Sequence, residues 1–215
     1  MTASAESIAA RHSAVRRGIL LSYATIGYNS LEAIGSLIAG LLSGSVALVG
    51  FGIDSVIEVI ASVAAQWRLR IDADLSRRSE SDVRTLRIVG WCFVALAVYV
   101  TIDSIKSLYL AEQPDRSWFG LIVLVLSVVV MPALAWAKRR VAIAMQSTAL
   151  EAEARQTSLC AYLSVIALTG VGLNALFGWW WADPVAALAM VPIIVREGVQ
   201  GLRLQPHNHD TCCEP

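Results

Sequence analysis

Long apolar stretches broken by short polar ones dominate the chain. Trp118 to Ala137 contains no charged residue, Leu159 to Ala182 contains none, and Gly18 to Leu42 contains one, Glu32. Each stretch is at least as long as the ~20 residues that a helix needs to cross the hydrocarbon layer. The full pattern predicts six spans: Gly18–Leu42, Val46–Trp67, Ile88–Leu110, Trp118–Ala137, Thr148–Phe177 and Pro184–Leu202. Period-2 alternation, the signal of a membrane barrel, is absent. In a bilayer every backbone N–H and C=O must be satisfied within the segment, so the spans are expected to be helices. The expected fold class is an all-α membrane protein with six transmembrane helices.

Composition agrees. The 215 residues are 56% hydrophobic and 16% charged, and the mean hydropathy is +0.61. A soluble domain carries about 25% charged residues. The formal net charge is zero, so bulk electrostatics names no partner. The four cysteines, Cys92, Cys160, Cys212 and Cys213, make no disulfide framework. No small-residue cleavage site follows Arg11, Arg16 and Arg17, so the first apolar run is read as a retained span.

The basic residues give the spans a direction. Arg11, Arg16 and Arg17, the six arginines between Arg68 and Arg87, Lys138, Arg139, Arg140, Arg155, Arg196 and Arg203 fall on one side, and only Lys106 and Arg116 on the other. The positive-inside rule then places both termini in the cytoplasm of a multi-pass cell-membrane protein. The same rule accounts for the basic loops without nucleic acid. Residues 1–17 read as a cytoplasmic segment, 18–204 as the membrane domain and 205–215 as a short tail. The polar stretch 72–83 reads as a solvated hairpin or as helix extensions. Trp179, Trp180 and Trp181 suit the outer interface. Asp183 and Pro184 read as the N-cap and first turn of span six, and Pro192 as a kink within it. Ser36, Gly40 and Gly44, four apart, suit either close helix contact or a loop-proximal cluster.

Charges inside spans carry the functional signal. Asp54 and Glu58 share one face of span two, with no basic residue of that span between them. An ionised carboxylate at mid-span costs roughly 2.5–3.5 kcal/mol. The pair is offset by a bound cation or by protonation, or it is a hydrogen-bonded pair that only joins helices. Asn29 and Glu32 share a face of span one. Asn29 suits an interhelical hydrogen bond, and Glu32 either neighbours the acid pair or carries a proton. Asp103 and Lys106 suit a local ion pair, and Cys92 a small hydrophobe. In span five Gln156 and Cys160 are four apart; a thiolate is a good zinc ligand and an amide oxygen a weak one. His12, His207 and His209 all lie outside the spans, and no nucleophile–base arrangement of an enzyme is visible.

The stretch Ser45-Val-Ala-Leu-Val-Gly-Phe-Gly-Ile-Asp54-Ser-Val-Ile-Glu58 resembles the second-helix signature of the cation diffusion facilitator family of divalent-metal exporters. Glu151-Ala-Glu-Ala-Arg-Gln156-Thr-Ser-Leu-Cys160 resembles the fifth-helix signature, Trp181-Ala-Asp-Pro184 the opening of the sixth, and Asn29 the first-helix asparagine. The resemblance implies proton-coupled export of a divalent transition metal, zinc first and then Cd2+, Co2+ or Fe2+, with H+ as counter-ion and no prosthetic group. It implies Asp54, Glu58, Cys160 and Gln156 as metal ligands. Glu32 and Asn29 are then proton-carrying or supporting residues, and a homodimer through membrane helices is a possible assembly.

Three departures stand out. Gln156 and Cys160 replace the usual His-x-x-x-Asp pair. Ser76-Arg-Arg-Ser-Glu80 stands where a Gly-His-Gly-Lys-Ala-Glu loop is usual. The usual cytoplasmic metal-binding domain is expected to be missing, which marks a short form. The altered span-five pair motivates an alternative, a non-transporting regulatory subunit of another transporter. In the tail, His207, His209, Cys212 and Cys213 suit metal capture or are incidental.

Overall fold

The computed structural model describes residues 2–71, 75–145 and 148–203, with side chains described over 17–63, 87–143, 151 and 153–203. Six helices follow one another: α1 (Thr2–Ser43), α2 (Val46–Ile71), α3 (Leu75–Leu110), α4 (Trp118–Met145), α5 (Thr148–Phe177) and α6 (Ala182–Arg203). No strand occurs among the described residues. Within the polar stretch after span two, residues 75–83 extend α3 at its start, Leu75, while α2 runs to Ile71. Helix α4 continues past the expected Ala137 to Met145, and α6 continues through Pro192.

Among the described residues, five helices are long and apolar enough to cross a membrane, α2 to α6. Helix α1 falls below that measure because it brings polar side chains into the bundle. Ser22, Thr25, Asn29, Glu32 and Ser36 are all buried. The exterior is the apolar side: Leu31, Leu41, Leu42, Trp91, Ile102, Val129 and Ile143 are exposed. This inversion suits a lipid solvent, where a polar side chain gains by facing inward and an apolar one loses nothing by facing out.

The helices form a ring in the order α1, α2, α3, α6, α5, α4, with α2 also touching α5 and α6 across the middle. Small residues permit the close crossings. A Cβ on Gly40 would lie 2.8 Å from the backbone N of Val49 on α2, and one on Gly90 of α3 would lie 2.9 Å from the carbonyl of Gly198 on α6. Ser36, fully buried, and Gly40 therefore belong to packing, whereas Gly44 belongs to the turn. Gly44 has φ +68°, and the Ser45 N–H returns to the Gly40 carbonyl at 3.1 Å, which closes a Schellman cap on α1. Gly178, φ +69°, caps α5 by donating to the Asn174 carbonyl. Ala111, φ 51°, fills the same role after α3 without glycine's freedom.

Candidate functional site

Ser45 begins helix α2, and its hydroxyl accepts from the Leu48 N–H at 3.1 Å, the geometry of an N-cap. Asp183 completes this end. Its carboxylate accepts from Ser45 Oγ at 2.5 Å and from the Val46 N–H at 2.9 Å. The sequence pattern suggested that Asp183 caps its own helix. The side chain instead caps α2, because α6 already starts at Ala182 and turns Asp183 toward the bare N–H groups of its neighbour. A negative charge is favoured at a helix N-terminus. Asp183 thus fixes the start of the helix that carries the acid pair.

Two and three turns further on, Asp54 and Glu58 are both buried. With Gln156 and Cys160 of α5 they line one small cavity of about 10 Å³, closed by Phe93, Ile194 and Glu197 among others. That volume has room for about one water molecule or ion. The four ligands expected from sequence therefore meet in one place. Among the described residues, however, no group of three or more His, Cys, Asp or Glu side chains converges tightly enough to hold a metal in this conformation. Glu197 of α6 joins the lining without having been expected there.

Glu32 reaches the same region from α1. It accepts from Ser55 Oγ at 2.9 Å, and Cys160 Sγ lies 3.9 Å from the same oxygen, Oε2. Of the two expected alternatives, proximity to the acid pair is realised: Ser55 adjoins Asp54 in sequence, and Cys160 lines the cavity. Asn29 is fully buried and faces Glu58 of α2, so the expected interhelical contact is present, although neither amide atom meets full hydrogen-bond geometry. Glu32 Oε1 and Glu58 Oε2 are likewise buried without a partner. Buried polar atoms without partners are uncommon.

Lys138 corrects the sequence reading most. It was grouped with Arg139 and Arg140 as a basic loop cluster, but α4 continues through it and its side chain is fully buried. Its ammonium lies 3.4 Å from Glu153 Oε2 and donates to Thr157 Oγ1 at 3.2 Å, and that hydroxyl lies 2.9 Å from Glu58 Oε1. Ser22 of α1 also donates to Glu153 Oε2, at 3.1 Å. The acid pair therefore does have a cation nearby, supplied by α4 rather than by its own helix. Arg139 and Arg140 remain exposed, with Arg140 stacked over Trp136 at 3.8 Å. A periodic signal was present. Leu124, Ser127, Met131, Ala135, Lys138 and Ala142 form the buried stripe of α4 at steps of three or four, and Lys138 falls on it.

The expected Asp103–Lys106 pair is also corrected. Lys106 reaches past the end of α3 to Glu112 at 3.3 Å, and Asp103 accepts from the Tyr99 hydroxyl at 3.3 Å. Both are exposed arrangements away from the cavity. Cys92 is free and exposed. Trp179 and Trp181 are exposed and stacked on each other at 5.5 Å. His207, His209, Cys212 and Cys213 lie outside the described residues.

A family model for the cation efflux transmembrane domain matches residues 87–203, more than half of the chain. The chain belongs to the cation efflux family. The match covers α3 to α6 with Gln156, Cys160 and Asp183, while Asp54 and Glu58 on α2 lie before it. An uncharacterized transporter of Synechocystis sp. is 22% identical over 168 residues, which cover 75% of this chain and 54% of that protein. The chain thus spans about half the length of this relative. Family membership and the long apolar helices make this cation efflux protein a multi-pass protein of the cell membrane.

Proposed function

We propose that this protein exports a divalent transition-metal cation, with zinc as the first candidate, in exchange for protons. The observation that carries the reading is the cavity between α2 and α5, where Asp54, Glu58, Gln156 and Cys160 meet inside the helix bundle. Two carboxylates, a thiolate and an amide or water make a four-donor set of the kind zinc accepts in tetrahedral geometry. The thiolate disfavours magnesium and manganese, which prefer oxygen shells. Because the ligands bind metal only when deprotonated, capture releases protons, and protons arriving from the far side displace the ion. The side chains close around the ion on capture, and the site is exposed alternately to each side, as in other transporters with midplane sites. The arginine asymmetry supports an orientation with both termini in the cytoplasm.

Uptake of radioactive zinc into everted vesicles tests the reading. Wild type should accumulate zinc when the vesicle interior is acid, and Asp54→Ala should not. Equal uptake by the two would sink the proposal. Protein reconstituted alone into liposomes should also move the metal, which a regulatory subunit would not do.

A further inference from the structure

Lys138 stands outside the ligand set, yet it is fully buried in a membrane helix. A lysine placed there is costly and is usually retained for function. Its ammonium lies within about 6 Å of the Glu58 carboxylate, with the Thr157 hydroxyl between them. Its other partner, Glu153, stands one turn before Thr157 on α5 and is bonded by Ser22 of α1. The Lys138–Glu153 pair is therefore a dipole whose positive end is linked, through one hydroxyl, to the acid pair. The Thr157 hydroxyl, which accepts from Lys138, has two acceptors in reach, Glu58 Oε1 at 2.9 Å and the Glu153 carbonyl at 3.0 Å, and it joins Lys138 to Glu58 when its hydrogen turns to the carboxylate.

We propose that Lys138 is a tethered counter-cation of the metal site, which offsets Glu58 when the site is empty and weakens metal binding so that the ion can leave. The inference rests on the metal site proposed above. The physical reason is charge. Asp54, Glu58 and the Cys160 thiolate together would hold a divalent ion tightly in a medium that screens poorly. A transporter needs affinity low enough for release. A fixed positive charge a few ångströms behind one ligand repels the ion without occupying a coordination position. It also relieves the two carboxylates of their mutual repulsion between transport events. Glu153 sets how much of this charge the site feels, because its carboxylate lies 3.4 Å from the Lys138 ammonium and partly neutralises it.

This arrangement predicts opposite effects for the two members of one ion pair. Lys138→Met removes the repulsion and should tighten zinc binding by about tenfold or more. Glu153→Gln leaves the lysine uncompensated and should weaken binding by a similar factor. Lys138→Arg keeps the charge and should stay within about threefold of wild type. The double variant Lys138→Met/Glu153→Gln removes both members of the ion pair, so neither is left buried without the other, and it should bind more tightly than Glu153→Gln.

The measurement is zinc binding to the purified full chain in detergent, by competition with a fluorescent zinc chelator at fixed pH, with Asp54→Ala as reference. If wild type binds no better than Asp54→Ala, the metal site itself fails. If wild type binds through Asp54 but Lys138→Met and Glu153→Gln shift affinity in the same direction, or not at all, the metal site stands and the counter-cation role is overturned. If Lys138→Met does not fold, the double variant against Glu153→Gln decides the sign. If neither variant carrying Lys138→Met folds, Lys138 is a packing element and the inference fails.

Discussion

Replacing Asp183 tests how the start of α2 is held. Asp183→Ala removes the acceptor for Ser45 Oγ and for the Val46 N–H, at a place where Asp183 is 1% exposed and Ser45 is 3% exposed. Water cannot easily replace the lost partner. Each buried donor left without an acceptor costs about 1–3 kcal/mol, so the pair costs about 2–6 kcal/mol. For a chain of this size that lowers Tm by about 4–24 °C. Asp183→Asn keeps one carbonyl acceptor but turns an amide toward the second donor, so its loss should be intermediate. Ser45→Ala removes the hydroxyl cap and should cost about 0.5–2 kcal/mol. Thermal unfolding of the purified variants in detergent, followed by far-UV circular dichroism, gives the order. The reasoning is refuted if Asp183→Ala melts within about 2 °C of wild type. It also fails if Asp183→Asn is the less stable of the two.

Gly40→Ala would place a methyl 2.8 Å from the Val49 backbone N; forcing α1 from α2 should cost about 1–3 kcal/mol, seen as a lower Tm, and an unchanged Tm would show that the crossing is loose. Ala111→Gly relieves a left-handed residue after α3 and should raise stability by up to about 1 kcal/mol, because the relief of about 1–2 kcal/mol exceeds the entropy that glycine adds to the unfolded chain. Cys160→Asp should move metal preference from zinc toward manganese in a binding competition, whereas an unchanged preference would place the thiol outside the coordination shell. Zinc affinity should fall as pH drops from about 8 to 6, by about tenfold per unit for each proton displaced, and a flat profile would separate metal binding from protons.

The helical architecture was legible because lipid imposes one rule on every span. Apolar length alone located the apolar parts of α2 through α6, and the helices run on at their polar ends, α3 from Leu75 rather than Ile88 and α4 to Met145 rather than Ala137. The acid pair was legible because Asp54 and Glu58 sit four apart on an apolar helix, and Gln156 with Cys160 repeats that spacing on α5. What was not legible depends on which neighbour a face meets. Lys138 adjoins two exposed arginines in sequence and differs from them only by facing inward. Asp183 has the spacing of a local cap, but its nearest bare N–H groups belong to another helix. Lys106 has an acid three residues away, yet Glu112 beyond the helix end holds it instead. In each case the residue type was informative and the partner was not, because long side chains choose partners across elements.

The bond between Asp183 and the first turn of α2 also has a mechanical meaning. A helix fastened at one end behaves as a lever. At 1.5 Å per residue, Asp54 lies about 14 Å and Glu58 about 20 Å along the axis from Ser45. A tilt of about 10° about that hinge would carry Asp54 sideways by about 2 Å and Glu58 by about 3.5 Å. Those strokes compare with the bore of a cavity that admits about one water molecule. A small swing at a fixed fulcrum would therefore open or shut the chamber, with the larger stroke at the carboxylate bound to Thr157.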